Sequence, residues 1–330
     1  MEKMSKKERI IAALNKKEVD RLPFSIWYHL PHADQDPVNL AEMHIKLAHC
    51  YDLDFIKMTP FVNYAAQDFG LSLTFHCTET QDPEVRKLAI SDAKQWIEIE
   101  PLPGHFGNYG KQLLFSRQIQ KQLNGEDIPY VQTIFSPLSV AWKLAGPRVF
   151  EDMKAHPEYL HQALAAITET TINFVKLNIE AGIAGFFFSI QCTNREWITE
   201  DQYDEFGVAY DVKVINAYKD ITFLNIAHIH GDNIMFEKVA KYPCNCINWH
   251  DRRVAPNMAE ARKLSDKCFL GGINEIDFLP YAEPEDIFAH VKEVVLAAGR
   301  KGLIIGPGCV ASLDTPKVNF YASRLAVEGL

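Results

Sequence analysis

Apolar residues along the chain gather in eight short runs, at 22–29, 54–60, 129–137, 184–191, 221–230, 246–251, 267–275 and 302–309. Each run is rich in β-formers and closes on Gly, Pro, Asn, Asp or His, the pattern of a strand buried on both faces of a parallel sheet. Between runs the spacing changes to three and four. Residues 151–181 repeat apolar side chains at Leu160, Leu164, Ile167, Ile172, Val175 and Ile179 before Gly182, which predicts a helix with a glycine stop. Segments 257–267 and 283–302 repeat the arrangement on a smaller scale. Eight strands mostly separated by helices predict an α/β fold, a single (β/α)8 TIM barrel over residues 1–330. One connection is too long for the rule: residues 60–128 contain strand-like stretches at 71–79 and 96–103. They predict a β-containing insertion between strands 2 and 3 that shapes a cleft at the barrel mouth.

Composition narrows the function. Among 330 residues, 34 Lys+Arg stand against 43 Asp+Glu, a net charge of −9. With no Lys/Arg-rich block, the chain lacks the clustered positive charge that displaces counterions from a phosphate backbone, so nucleic acid is not an expected ligand. No run approaches the roughly 18 apolar residues of a membrane span, and residues 1–21 are basic and amphipathic rather than shaped as a signal peptide. A soluble, cytoplasmic protein is expected. Seven scattered cysteines, an odd number in a chain this long, are expected to be reduced thiols.

In such barrels the chemistry lies at the C-terminal ends of the strands. Reading the run ends gives His29, Gln191, His228 with His230, His250 with Asp251, Asn274 with Glu275, and Cys309. On an extended strand residues i and i+2 face the same side, so His228 and His230 can converge on one point. Cys309, after Gly306-Pro307-Gly308, would lie across the mouth from them. Two imidazoles and a thiolate with an open position suit a catalytic zinc ion; two buried histidines bonded to backbone would look the same in sequence. His250 and Asp251 are candidates for general acid/base work or for orienting a metal-bound imidazole. His29, Gln191, Asn274 and Arg252 are candidate substrate contacts, Arg252 and Arg253 forming a compact positive feature able to hold a carboxylate or phosphate. Cys244 and Cys246 lack a nearby second pair of ligands and read as structural. Dinucleotide, P-loop, serine-elbow and His-Glu-x-x-His signatures are missing.

Residues 20–27, 51–57, 134–138, 180–182, 271–274 and 306–309, the last ahead of Asp314-Thr315-Pro316, together resemble the uroporphyrinogen decarboxylase superfamily. The resemblance covers almost the whole chain and implies a (β/α)8 barrel, in agreement with the strand count. Decarboxylases of the superfamily carry an Arg-rich segment after the first strand, which grips the substrate's carboxylate arms. Here residues 27–32 contain no arginine. The corrinoid-dependent methyltransferase branch carries a zinc motif, His-x-Cys on the fifth strand and Cys at the end of the eighth. The matching positions are His228, His230 and Cys309, with His230 replacing a thiolate by an imidazole. That exchange removes one negative charge and makes a bound zinc a stronger Lewis acid. The resemblance therefore implies zinc-dependent methyl transfer or demethylation, with a methylcorrinoid carried by a partner protein, or a small-molecule methyl donor or acceptor, as the other participant; homodimerisation stays open. The alternatives are metal-free decarboxylation of the uroporphyrinogen type and non-catalytic binding of a corrinoid or tetrapyrrole.

Overall fold

The computed structural model describes residues 2–330. Its centre is a curled sheet of seven parallel strands: β1 (Ile56–Met58), then, after a small hairpin of β2 (Ser72–Thr74) and β3 (Glu84–Lys87), β4 (Tyr130–Phe135), β5 (Gly185–Ile190), β6 (Ile226–Ile229), β7 (Cys246–Trp249), β8 (Cys268–Ile273) and β9 (Leu303–Pro307). The order is β1-β4-β5-β6-β7-β8-β9, so once the β2–β3 hairpin is set aside each strand pairs with the next in the chain, as in successive β-helix-β units. The strands are buried on both faces because helices cover the outside, among them Pro37–Cys50, Gly107–Leu123, Pro157–Glu180, Pro284–Ala298 and Lys317–Leu325. Pro157 ends the preceding helix Arg148–Ala155 and starts the long one at its first turn, where a missing N–H does no harm. Buried apolar side chains from the seven-stranded sheet and these helices form one cluster.

Seven of the eight runs become strands. The first, 22–29, forms only an isolated parallel bridge, Phe24 to Ile305. Its backbone is nonetheless bonded on both sides: Ser25 N donates to Ile305 O (3.0 Å), Ile305 N to Pro23 O (2.8 Å), and Asp54 N to Phe24 O (2.8 Å).

The long connection after β1 also departs from expectation in part. Residues 72–74 pair antiparallel with 84–87, within reach of the expected strand at 71–79. Residues 96–103 are not a strand. Ala93–Glu98 form a 3-10 helix capped by Asp92, with a reciprocal bond from Gln95, and Trp96 Nε1 donates to Asp152 Oδ2 at 2.8 Å. The Asp-x-x-Gln cap sets the local structure before the alternation of 96–100 can act. Among the described residues no helix is long and apolar enough to cross a membrane.

Candidate metal centre

A cavity of about 340 Å³ opens at the C-terminal ends of the strands, lined among others by Trp27, His29, Lys57, Gln191, His228, His230, His250, Arg253, Glu275 and Cys309. Its sharpest feature joins residues far apart in sequence. Cys309 Sγ lies 3.5 Å from His228 Nε2 and 3.5 Å from His230 Nδ1, and one ligand atom from each of the three residues falls within 4.8 Å of the others.

Strand register produces this arrangement. His228 on β6 stands opposite Asn248 on β7, and His228 Nδ1 meets Asn248 Oδ1 at 2.6 Å. The Asn248 amide nitrogen donates to Leu270 O (2.8 Å) and Pro307 O (3.1 Å). Its oxygen must therefore accept, so His228 Nδ1 carries the proton and Nε2 presents a lone pair to Cys309. Cys309 reaches the group from the turn after β9, where Gly308 N donates to Glu275 Oε2 at 3.1 Å. A side chain at Gly308 would put Cβ 2.8 Å from His250 Cα and 2.9 Å from Trp249 O. Only glycine fits there.

The electrostatics favour a thiolate. Burial alone would raise the Cys309 thiol, but the imidazoles of His228, His230 and His250 around it hold it well below the ordinary value. Burial lowers His228, keeping the imidazole in the neutral form a metal requires. His250 Nδ1 bonds Glu275 Oε1 at 2.7 Å, and its Nε2 lies 3.4 Å from His230 Nδ1. Against the opposing effect of burial, Cys309 and Glu275 raise His250 to about 10.

The remaining expected residues divide. His29 and Gln191 line the cavity, and the buried Gln191 Oε1 has no hydrogen-bond partner. Asp251 does not line it: its Oδ1 accepts from Gly272 N on β8 at 3.0 Å, and burial raises its carboxyl to about 7. Asn274 turns its oxygen back on its own loop, accepting from Asp277 N at 2.9 Å. Arg252 points outward to Glu293 (2.8 Å) on helix Pro284–Ala298; Arg253, one residue on, lines the cavity instead. Two residues outside the expected set complete the site, Asn248 and Lys57 in the middle of β1, while Glu275, read from the end of its run, is fully buried there. The signal for Lys57 and Asn248 is a polar side chain inside an otherwise apolar run.

The uroporphyrinogen decarboxylase (URO-D) family model matches residues 5–329. The methylcobamide:CoM methyltransferase MtbA of Methanosarcina acetivorans is 23% identical over 97% of this chain and 96% of its own length. A methylated-thiol–coenzyme M methyltransferase of Methanosarcina mazei is 26% identical over 62% of the chain and 54% of its own length. A uroporphyrinogen decarboxylase of Aliivibrio salmonicida is 26% identical over 62% and 59%. Among solved structures, a methyltransferase from Methanosarcina mazei superposes with a TM-score of 0.81 at 17% identity, covering 99% of both chains.

Proposed function

From the premise that the chain belongs to the uroporphyrinogen decarboxylase family, we propose that it is a zinc-dependent methyltransferase or demethylase, acting with a methylcorrinoid on a partner protein or with a small methyl donor or acceptor. The same reading takes the sheet as a (β/α)8 barrel closed by residues 23–25 and the 60–128 connection as its mouth insertion. The carrying observation is the convergence of His228 Nε2, His230 Nδ1 and Cys309 Sγ, a nitrogen-nitrogen-sulfur donor set suited to zinc with a position left open. The likeness to MtbA over nearly the full length of both chains supports the methyl-transfer branch. Arg252, turned away from the cavity, removes one of the two cations on which decarboxylation of a polycarboxylate would depend.

His228, His230 and Cys309 are the residues that would hold the ion. Zinc bound there supplies positive charge that keeps an incoming thiol or alcohol ionised at neutral pH. Asn248 fixes the ring of His228, and Glu275 fixes that of His250. His250, kept protonated by Glu275 and Cys309 and with Nε2 turned toward the group, is placed to donate a proton or hydrogen bond there. His29 and Gln191 contact the substrate, and the aromatic walls, Trp27, Phe135 and Phe187, exclude water.

Metal analysis of the purified chain beside a His228→Ala/Cys309→Ala variant tests the reading. About one zinc per chain is expected in the native protein and little in the variant. Zinc-loaded protein should also transfer methyl from free methylcobalamin to a small thiol, followed by the absorbance of the demethylated corrinoid. Equal, negligible zinc in both proteins overturns the proposal.

A further inference from the structure

The helical layer outside the sheet carries an exposed apolar face, far in chemistry from the cavity. Helices Pro284–Ala298 and Lys317–Leu325 lie side by side, tied near their N-terminal ends by Asn319 Nδ2, which donates to Leu279 O (2.8 Å) and Ala282 O (2.9 Å). One flank of each faces the core, through Ile287, Val291 and Val294 in the first and Asn319 and Ser323 in the second. A second flank of each is engaged away from the pair. Glu293 of the first helix binds Arg252 at 2.8 Å, while in the second Phe320 packs on Tyr51 with ring centroids 5.5 Å apart and Arg324 binds Asp52 at 2.6 Å. At 3.6 residues per turn, the flanks left toward one another carry Phe288 and Lys292 on one side and Val318 and Leu325 on the other, with Leu296 and Tyr321 on the outer crest. The five apolar side chains are all exposed, Leu296 by 77%. Lys292 lies among them, its long stem able to follow the apolar surface while the ammonium reaches water.

Single exposed apolar residues are normal, but a contiguous patch marks a contact surface. Phe288 and Tyr321, 43% and 46% exposed, and the adjacent Tyr281, 79% exposed, offer roughly 250–420 Å² of aromatic surface, taking about 150–250 Å² for each such side chain. That is about a third to a half of the roughly 800 Å² that each partner brings to a stable interface. The charges at the rim identify the occupant. Glu283, Glu285 and Asp286 stand at the N-terminal end of the first helix, with Arg300 and Lys301 just past its C-terminal end; Lys317 opens the second helix and Glu328 follows its end. A two-fold axis perpendicular to the helices would run each against its own copy and set an acidic end against a basic end in both, with the apolar crest between them. We propose that this face pairs antiparallel with the same face of a second copy of the chain, forming a symmetric dimer. No residue of the face lines the cavity, so both cavities stay clear of the interface and open in opposite directions.

Sedimentation of the full chain from about 1 to 100 µM should show a molar mass rising toward twice 37.5 kDa, and Tm should rise with protein concentration, as mass action requires for a dimer. Leu296→Glu/Leu325→Glu changes two exposed positions and leaves the core alone; it should be monomeric throughout, with an unchanged far-ultraviolet spectrum and a Tm independent of concentration. Glu285→Lys should weaken association about tenfold at low salt, and Glu285→Lys/Lys301→Glu should recover it. A chain monomeric at every concentration, a dimer indifferent to Leu296→Glu/Leu325→Glu, or a Glu285→Lys variant that associates normally or is not rescued by Lys301→Glu overturns the proposal. None of these substitutions touches His228, His230 or Cys309, so the outcome is independent of metal binding and of methyl transfer.

Discussion

Neighbouring residues at the end of β7 have unlike fates. His250 enters the cavity, while Asp251 is held against the β8 backbone with Oδ2 buried and unpartnered. Its carboxyl, raised to about 7 by burial, titrates near 4 in an unfolded chain. The folded form therefore keeps the proton longer, and the stability this contributes is present below about pH 4 and lost as pH rises through about 7. Asp251→Asn, which keeps an oxygen for Gly272 N, should flatten that fall, raising Tm at pH 8 but little at pH 4. The gain is bounded by about 1.4 kcal/mol for each pH unit separating the folded and unfolded titrations; parallel pH dependences in the two proteins would show that Asp251 does not set the fall. The same turn shows what residue order can convey. His228, His230 and Cys309 are legible because i and i+2 share a strand face and glycines precede the cysteine. That Arg252 turns out and Arg253 in depends on a three-dimensional turn that no periodicity encodes.

At the level of elements, the site hangs on strand register and on the turn after β9. Gly308 passes so close to the β7 end that Gly308→Ala must push backbone against backbone, which cannot yield as a side chain does. A loss of about 1–3 kcal/mol is expected from such overpacking, together with reduced zinc content in the folded protein; denaturant unfolding and metal analysis measure both. Native-like zinc and stability would show that the turn relaxes freely. Buried strands are readable because both faces of the sheet are covered, leaving unbroken apolar runs. The first run carries the same apolar pattern without forming a full strand, since it is bonded to both neighbours through only a few backbone groups around Phe24. At 96–103 alternation misleads because the cap at Asp92 outweighs it.

Across the whole molecule, the N-terminal ends of the strands carry a charged seam. Fully buried Asp54 accepts from Arg9 Nη1 (2.5 Å), Arg21 Nη1 (2.6 Å) and Phe24 N (2.7 Å), while Arg324 on the last helix binds Asp52 at 2.6 Å. The first helix (Lys6–Leu14), which carries Arg9, the first run, the approach to β1 and the final helix are thus tied together. Asp54→Ala leaves two arginines without their shared acceptor and should destabilise the chain by about 3–5 kcal/mol, read by chemical denaturation. Zinc per folded molecule should not change; a small stability loss would remove the seam's structural role.

The seam and the cavity lie at opposite ends of the same strands. Changes at the seam therefore act on folding at a distance from the cavity, whereas a change at Gly308 acts on both. A scaffold of this kind can take a different side chain at the cavity end of a strand, as at position 230, while the ties at its other end, around Asp54, stay as they are.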